Sequence, residues 1–516
     1  MTLKSARWIL IALGGTLVAL TIAAAAGSRT ETLRRLVIDG LANRLDSEVE
    51  LGAFSVDIFP TVTVRGQGLV VRHKKRRDVP PLVTVGNFSM EGGIIGLLNR
   101  PRRFRTVTLT ELRINIPPGG MRIDRPETAT AAPAGDASRS PFIIDRLVAD
   151  GAELRIIPRT AGKEPKLFAI HALEMRELGL AERMPFDAQL TNPVPKGMIQ
   201  TKGEFGPWRK GDPGATPLVG RYTFANADFS TIKGIAGILE STGEFGGQLE
   251  RIAVKGETRT PDFRLDISEQ PVELTTRFQA VVDGTDGDTY LNDVYATFGR
   301  TSLTAKGAVT GTPGVKGRTV KLDVRIDEGR IEDLLRLAVK AERPLMEGDV
   351  ALATSFLLPP GDRSVVERLQ LQGNFDVSAR FTNREVQTKL TGMSQRARGV
   401  PTSGRAENIV SDLRGHFRLQ DATLALSGLT FRVPGATVAL AGTYGLKSEA
   451  LMFDGTLQME ATISEAAGGG LKSVLLKAVD PFFRKGKAGA VLPIKVRGTR
   501  SEPKFGLDVV KAITPK

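Results

Sequence analysis

The strongest candidate for chemistry in this sequence is the acidic stretch D-G-T-D-G-D, from Asp283 to Asp288. Closely spaced carboxylates around glycine are typical of calcium-binding loops, which supply oxygen ligands from alternate positions. Such a loop ends on a bidentate glutamate at its twelfth position, and counting from Asp283 places Val294 there. The stretch is therefore better explained as a turn rich in glycine and aspartate. We predict no metal and no cofactor.

Other residues that commonly do chemistry are few. The sequence contains 3 histidines, His73, His171 and His416, each in a different setting, and no cysteine, which excludes disulfides and thiolate metal sites. We find no nucleophile elbow, P-loop or dinucleotide fingerprint. A hydrolase built on two carboxylates stays open, because such pairs form in space rather than in sequence. We otherwise predict that the protein is not an enzyme.

The first 28 residues indicate a membrane anchor. Two basic residues precede an uncharged run from Trp8 to Ala26, which would be close to 30 Å long as a helix and so match one bilayer core. A cleaved signal peptide is the alternative, because small residues at the end of the run offer a cleavage site. The length of the run favours an uncleaved anchor. No second run approaches spanning length, so we expect all later residues to lie on one side of the membrane.

The surface is basic, with a net charge of +14. Two clusters, at residues 72–77 and 100–105, are either solvated surface or contacts for anionic lipid headgroups, where each basic residue contributes roughly 1 kcal/mol. The candidates for headgroup contact are Arg72, Lys74, Lys75, Arg76, Arg77, Arg102, Arg103 and Arg105. We predict no nucleic-acid partner, because no recognised binding motif accompanies the charge.

Alternation of apolar and polar residues predicts many β-strands with one apolar face. At about 12 to 14 residues per strand and turn, the chain holds roughly 25 strands. Open sheets rarely exceed about 10 strands without curling or splitting. The apolar face must therefore turn inward, either filled with side chains in closed sandwiches or barrels, or left as a groove along a long curled sheet.

The low aromatic content, 6%, favours the groove, because valine, leucine and alanine line a channel without filling it. We expect a charge placed on this face, as in Val324→Glu or Phe431→Glu, to leave the protein folded. The candidates for lining the groove are Val320, Leu322, Val324, Ile326, Leu424, Leu426, Leu429, Phe431, Val433, Val438 and Leu440.

The expected fold is mainly β: an N-terminal transmembrane helix followed by an elongated, curled antiparallel β-sheet with a few short helices. Helical patterns occupy residues 30–45, 90–99, 230–241, 331–341 and 471–483. The predicted domains are a cytoplasmic tip and anchor (1–28), an N-terminal β region (29–116), a flexible loop or linker (117–140), a β-rich central module (141–400) and a C-terminal β module (401–516).

One sequence motif occurs twice in the chain. V-K-G-E-T-R-T-P-D-F-R-L-D begins at Val254, and V-R-G-T-R-S-E-P-K-F-G-L-D begins at Val496. Glycine favours a bend, proline blocks ladder hydrogen bonds, and phenylalanine and leucine then share one face. We interpret both copies as the closing edge of a β module, which suggests two related modules laid end to end.

Several stretches resemble the AsmA-like proteins of bacterial envelopes. Leu51 to Val71, L-G-A-F-S-V-D-I-F-P-T-V-T-V-R-G-Q-G-L-V-V, resembles their amino-terminal signature. Gly234 to Asp266 resembles their carboxy-terminal region, as do V-V-D-G-T-D-G-D-T-Y-L, from Val281, and G-R-I-E-D-L-L-R-L-A-V-K, from Gly329. The family has no catalytic motif to carry over, and this chain is shorter than its bridge-like members.

The resemblance implies an inner-membrane protein with a single span and the bulk of the chain in the periplasm. Its groove would handle membrane phospholipid and support lipid transport to, or assembly of, the outer membrane. Other envelope proteins or further copies of the chain are possible partners. The alternative is a non-enzymatic envelope scaffold, or a regulator of outer-membrane protein assembly, in which the apolar face is closed.

Overall fold

The computed structural model describes residues 47–57, 61–73, 80–93, 101–116, 142–157, 166–179, 183–207, 209, 213–401, 407–462 and 490–507, with helical positions at 31, 34, 35, 38, 39, 42 and 466. The described chain is mainly β, as predicted, and its strands form one large mixed sheet with few helices. Residues 8–26, the predicted anchor, lie outside the described residues. Within the described ranges, no helix is both long and apolar enough to cross a bilayer.

Within the described residues the sheet contains 26 strands, close to the predicted number. The first half comprises β1 (Ser47–Glu50), β2 (Phe54–Asp57), β3 (Val62–His73), β4 (Val83–Gly92), β5 (Arg102–Thr110), β6 (Arg113–Ile116), β7 (Phe142–Ile156), β8 (Lys166–Leu178), β9 (Met184–Pro193), β10 (Lys196–Phe205), β11 (Pro217–Asp228), β12 (Ile235–Ala236) and β13 (Ile238–Gln248). The second half comprises β14 (Arg251–Leu265), β15 (Val272–Val282), β16 (Thr289–Phe298), β17 (Thr301–Gly311), β18 (Arg318–Arg330), β19 (Met346–Leu358), β20 (Gln370–Phe381), β21 (Ser411–Gln420), β22 (Thr423–Val433), β23 (Ala436–Gly445), β24 (Ala450–Met459), β25 (Ala490–Thr499) and β26 (Pro503–Leu507).

The strands follow one another in a meander. From β7 to β11, and from β13 to β26, each strand pairs antiparallel with the next, and β11 pairs with β13. β5 and β6 instead pair parallel with β7, so the prediction of an antiparallel sheet was wrong there. A parallel pair needs a connection of a dozen or more residues, and residues 117–140, predicted as a linker, separate these strands. The ladder also continues across the predicted boundary at residues 400 and 401, from β20 to β21.

Besides the helical positions between residues 31 and 42 and at 466, the described helices are α1 (Ile331–Ala338), α2 (Val365–Arg368) and α3 (Arg384–Ala397), with 3₁₀ turns at Pro213–Ala215 and Phe229–Thr231. α1 confirms the helix predicted at 331–341. The helix predicted at 230–241 was wrong, because a 3₁₀ turn and the strands β12 and β13 occupy that segment. The helix predicted at 90–99 begins inside β4, and residues 94–99 lie outside the described residues. α3 was missed. Asn383 caps it by accepting hydrogen bonds from two backbone N–H groups.

The two copies of the repeated sequence motif adopt different conformations. Its first copy lies within β14, a single strand that β13 and β15 flank, with a bulge at residues 261–262. Its second copy is the β25–β26 hairpin, which turns at residues 500–502. The interpretation as a closing edge was therefore wrong for the first copy, because only the neighbouring strands decide whether the proline interrupts a ladder or begins a new strand.

Some of the buried apolar side chains form three separate core clusters, whereas others, among them Ala280, Phe298 and Ile326 of the central strands, are buried outside these clusters. The amino-terminal core consists of Leu51, Val64, Val85, Phe88, Leu112, Ala149, Ala152 and Ile170. The carboxy-terminal core consists of Ala397, Ile409, Val433, Ala436, Met459 and Ala490, and a smaller core of Val350, Val377 and Ala379 packs against α1. We define the central region as β10–β18; none of its described residues belongs to these cores.

One contact shows that the sheet is not flat. The backbone N–H of Val365 in α2 donates to the carbonyl oxygen of Lys233 at 3.0 Å, and Val365 is buried. Lys233 lies before the start of β13, and α2 lies after the end of β19, so the contact joins opposite strand ends of the sheet. In a flat sheet β13 and β19 would be six strand spacings apart, about 29 Å. The sheet must therefore coil between β13 and β19.

Candidate functional site

One face of the sheet is apolar along nearly its whole length. Because directly paired residues point to the same side, the register fixes which residues share a face. One uncharged row crosses from β2 to β25: Phe54, Gly66, Phe88, Leu109, Ala149, Leu173, Ala188, Thr201, Tyr222, Gly243, Gly256, Phe278, Val294, Ala305, Val324, Thr354, Gly373, Phe417, Leu426, Gly442, Phe453 and Val496. We call the face that carries this row the apolar face.

The opposite face is polar and carries cross-strand ion pairs. Lys202 lies 2.7 Å from Asp187, and Arg259 lies 2.7 Å from Glu273. Hydrogen bonds from Arg146 and then Arg176 lower the pKa of Glu174. These groups are largely exposed, so each pair contributes little to stability, and their main effect is to keep this face in water.

The predicted groove residues on β18 lie together on the apolar face. Val320, Leu322 and Val324 are partly exposed, while Ile326 is 2% exposed. The charged residues between them, such as Lys321 and Asp323, are exposed on the other face. Val324 has only small register partners, Ala305 and Thr354. None of the four predicted residues on β18 belongs to one of the three core clusters, and the partly exposed side chains remain within reach of a ligand.

The predicted groove residues on β22 and β23 lie on the same face. Register partners lead from Val324 through Thr354, Gly373 and Phe417 to Leu426. A bulge at Ser427 and Gly428 returns the later residues to this face, where Leu429 pairs with Leu440, and Phe431 pairs with Val438. Leu424 belongs to the same set, since it pairs with Leu419 and Tyr444.

The end of β22, however, is filled. Val433 belongs to the carboxy-terminal core, and Phe431 packs against that core, with its ring 6.4 Å from the ring of Phe381. The expectation that Phe431→Glu leaves the protein folded was therefore misplaced, because a charge there would enter packed apolar side chains. Period-2 alternation showed which face these residues occupy but not that α3 covers it.

The predicted headgroup residues do not form one patch. Lys74, Lys75, Arg76 and Arg77 lie outside the described residues. Arg72 lies near the end of β3 and pairs with Glu50 at 3.2 Å, whereas Arg102, Arg103 and Arg105 begin β5, with Arg103 2.7 Å from Asp145. The antiparallel register of β3, β4 and β5 places Arg72 and the β5 cluster at opposite ends of these strands, roughly 33 to 43 Å apart at about 3.3 Å per residue.

The acidic stretch is a structural turn. Asp283 accepts hydrogen bonds from the backbone N–H and the hydroxyl of Thr285, at 2.8 and 2.5 Å. Asp288 accepts from the Gly311 N–H at 2.9 Å and from Arg318 at 2.8 Å. The carboxylates are used to close the β15–β16 connection against the next hairpin. No group of three or more potential metal ligands occurs among the described residues.

The histidines lie on three different strands. His171 shares a hydrogen bond of 2.6 Å with the hydroxyl of Thr191, on β8 and β9, and His416 is exposed on the polar face of β21. His73 ends β3. The structure brings none of these three positions together.

Sequence reasoning missed the glycines of the apolar face. A Cβ on Gly66 would lie 2.2 Å from the ring of Phe88, and one on Gly256 would lie 2.6 Å from the Tyr222 hydroxyl and 2.9 Å from the Phe278 ring. These glycines leave room for an aromatic ring from a neighbouring strand to lie across the sheet. The sequence does show glycines at strand positions where the alternation predicts an apolar side chain. Only the strand register, however, identifies the aromatic ring that covers each glycine.

The site is therefore an uncharged surface that coils with its sheet, filled toward both ends and partly exposed in the centre. Such a surface can hold apolar ligands. In comparisons with known proteins, no family model, no curated protein and no solved structure matches this chain.

Proposed function

We propose that this protein holds phospholipid acyl chains on the apolar face of its sheet, and that it belongs to the AsmA-like proteins of bacterial envelopes. In this proposal residues 8–26 anchor the chain in the inner membrane and the sheet lies in the periplasm. There it supports lipid transport to, or assembly of, the outer membrane, without catalysing a reaction.

The observation that carries the proposal is the exposed part of the apolar face. Val320, Leu322 and Val324 are only partly buried, and in the central region no core covers them. Apolar surface in contact with water costs about 25 cal/mol per Å², so a long uncovered strip calls for a ligand or a partner. Acyl chains match a strip that is continuous, uncharged and many strands long.

The coil of the sheet supports a groove rather than an open plate. The contact between Lys233 and Val365 brings opposite strand ends together. Along β18 and β20, exposed polar or charged residues alternate with less exposed residues, as an apolar face that turns inward requires. The side chain of Lys447 also reaches Glu367 in α2, which ties this helix to the β23–β24 turn. We propose a curled groove whose mouth is bridged at α2.

A photoreactive amino acid at position 324 tests the proposal in the full membrane-bound chain. We expect crosslinking in cells to attach phospholipid there, detected by mass spectrometry. The same residue at position 321, the exposed lysine on the opposite face, should give no lipid adduct. Equal labelling at both positions, or no lipid at 324 in folded protein, would refute the groove and leave the closed scaffold as the function.

A further inference from the structure

Four hydroxyl groups lie on four successive paired strands of the apolar face in the central region. They belong to Tyr222 on β11, Ser241 on β13, Thr258 on β14 and Thr276 on β15. Ser241, Thr258 and Thr276 are successive register partners, and Tyr222 pairs with Gly243, two residues beyond Ser241 on the same face. We call these four residues the hydroxyl patch.

The patch is built into the floor of the face. A Cβ on Gly243 would lie 2.8 Å from the Tyr222 ring, and one on Gly256 would lie 2.6 Å from its hydroxyl oxygen. The ring of Tyr222 therefore lies across β13 and β14 instead of rising from the sheet. Two glycines on adjacent strands are needed for this arrangement, which places the phenol beside Ser241.

The hydroxyls form two pairs. The Tyr222 and Ser241 oxygens are 3.2 Å apart, and the Thr258 and Thr276 oxygens are 2.6 Å apart. Each pair uses one O–H as donor, so the second O–H of each pair remains available to an acceptor. Burial raises the pKa of Tyr222, which keeps its phenol protonated. The patch thus offers two uncharged donors about one strand spacing apart.

The lack of charge limits what the patch can recognise. Cations of these strands, among them Arg221, Lys255, Arg259 and Arg277, alternate with the patch and are exposed on the polar face. A phosphate would favour such cations, whereas the carbonyl oxygen of an ester needs only a neutral donor in an apolar setting. A diacyl lipid carries two such carbonyls next to each other, with an acyl chain leading away from each.

We propose that the hydroxyl patch binds the ester carbonyls of a diacyl lipid, and so fixes where the glycerol backbone rests in the groove. This assignment rests on the proposed function and adds a specificity determinant to it. Phe245 and Val254, on the neighbouring apolar row, would contact the chains as they leave the patch.

The test compares two probes that differ only at these carbonyls: a diester phosphatidylethanolamine and its diether analogue with the same chain length. Binding to the purified, delipidated full chain in detergent is measured by titration and native mass spectrometry. We expect the wild type to prefer the diester about five- to tenfold, the effect of one neutral hydrogen bond. The double variant Thr258→Val, Thr276→Val should bind both probes equally, at the affinity of the wild type for the diether.

A matched control lies on the opposite face. Thr275 and Thr297 are also cross-strand partners, on β15 and β16, and their change to valine should leave the diester preference intact. Tyr222→Phe should reduce the preference in part, because it removes one hydroxyl and keeps the ring over both glycines. Unchanged diether binding in each variant shows that the face is intact.

The outcomes separate this assignment from the function on which it rests. If the wild type binds both probes without preference, or if the preference survives in the double valine variant, the patch is not a recognition site while the groove stands. If the wild type binds neither probe, the groove itself fails and the assignment fails with it.

Discussion

The amino-terminal strands and the central strands carry the same row of paired residues but use it differently. In β1–β8 the row places Phe88 over Gly66, with Phe88 only 5% exposed among aliphatic neighbours from other strands. In the central region the corresponding row offers glycine, alanine and threonine, and its larger side chains remain partly exposed. A single ladder can thus be a packed core in one region and an accessible surface in another.

The difference lies in what covers the face. Ile38, in the described part of the helix before β1, packs on the amino-terminal core, and α3 contributes Ala397 to the carboxy-terminal core. At the end of the central region α1 packs Ile331 and Leu334 on the small core of Val350, Val377 and Ala379, and polar contacts hold its first turn to the edge of the sheet. Glu332 and Asp333 are 6% and 5% exposed, and Asp333 accepts hydrogen bonds from the Arg300 N–H and the Thr301 hydroxyl. These polar contacts hold the edge of the sheet without covering the apolar face of the central region.

Val64→Glu should have the largest effect, because it places a charge in the amino-terminal core, where Val64 is 6% exposed. Burial raises the pKa of a glutamate by about three to five units, so the folded chain must keep a proton that the unfolded chain loses, which costs about 4 kcal/mol at pH 7. We expect urea denaturation followed by circular dichroism to show an unfolded or severely destabilised chain. Gln67→Glu, an exposed position on the same strand, should unfold like the wild type. Equal midpoints for both variants would mean that this end of the face is open.

Truncating two aromatic rings compares the regions directly. Phe88→Ala should cost about 3 to 5 kcal/mol, as is usual for a buried phenylalanine. Phe278 also lies over a glycine, Gly256, but is partly exposed, so Phe278→Ala should cost about half as much. The measurement is the free energy of unfolding of each variant. Equal losses would show that the central face is as tightly packed as the amino-terminal core.

Acid should weaken the fastening of α1. Burial raises the pKa of Glu332, but hydrogen bonds from its own N–H and that of Gly348, together with Arg330, outweigh burial and hold the pKa below its usual value. A lowered pKa contributes stability above the unfolded value, about 4.3, and that contribution is lost as pH falls through the folded value. Glu332→Gln should therefore cost about 1 to 3 kcal/mol at pH 7, and less than that near pH 3. A gap between variant and wild type that does not narrow in acid would contradict this assignment.

Sequence periodicity was sufficient for some parts of the fold and not for others. The alternation at Val320–Ile326 and at Leu424–Val433 correctly placed these residues on strands, and all of them share one face. The alternation could not predict that α3 covers Val433, because this contact joins residues that are distant in sequence. It also gave no sign that Ser241, Thr258 and Thr276 are neighbours, since three separate strands supply them. The sequence also could not predict the parallel pairing of β5 with β7, because parallel and antiparallel strands show the same alternation of apolar and polar residues.

Val324→Glu should have the smallest effect on stability, and it sharpens the comparison most. Val324 is partly exposed between Ala305 and Thr354, so a glutamate side chain can extend along the face and keep its carboxylate in water. We expect its free energy of unfolding to lie within about 1 kcal/mol of the wild type, the range usual for surface changes. Protease resistance should be unchanged while phospholipid recovered with the protein falls, and Lys321→Glu, on the opposite face, should alter neither. If Val324→Glu instead unfolds the chain as Val64→Glu does, the central face is a closed core like the amino-terminal one, and the difference between the two regions disappears together with the groove.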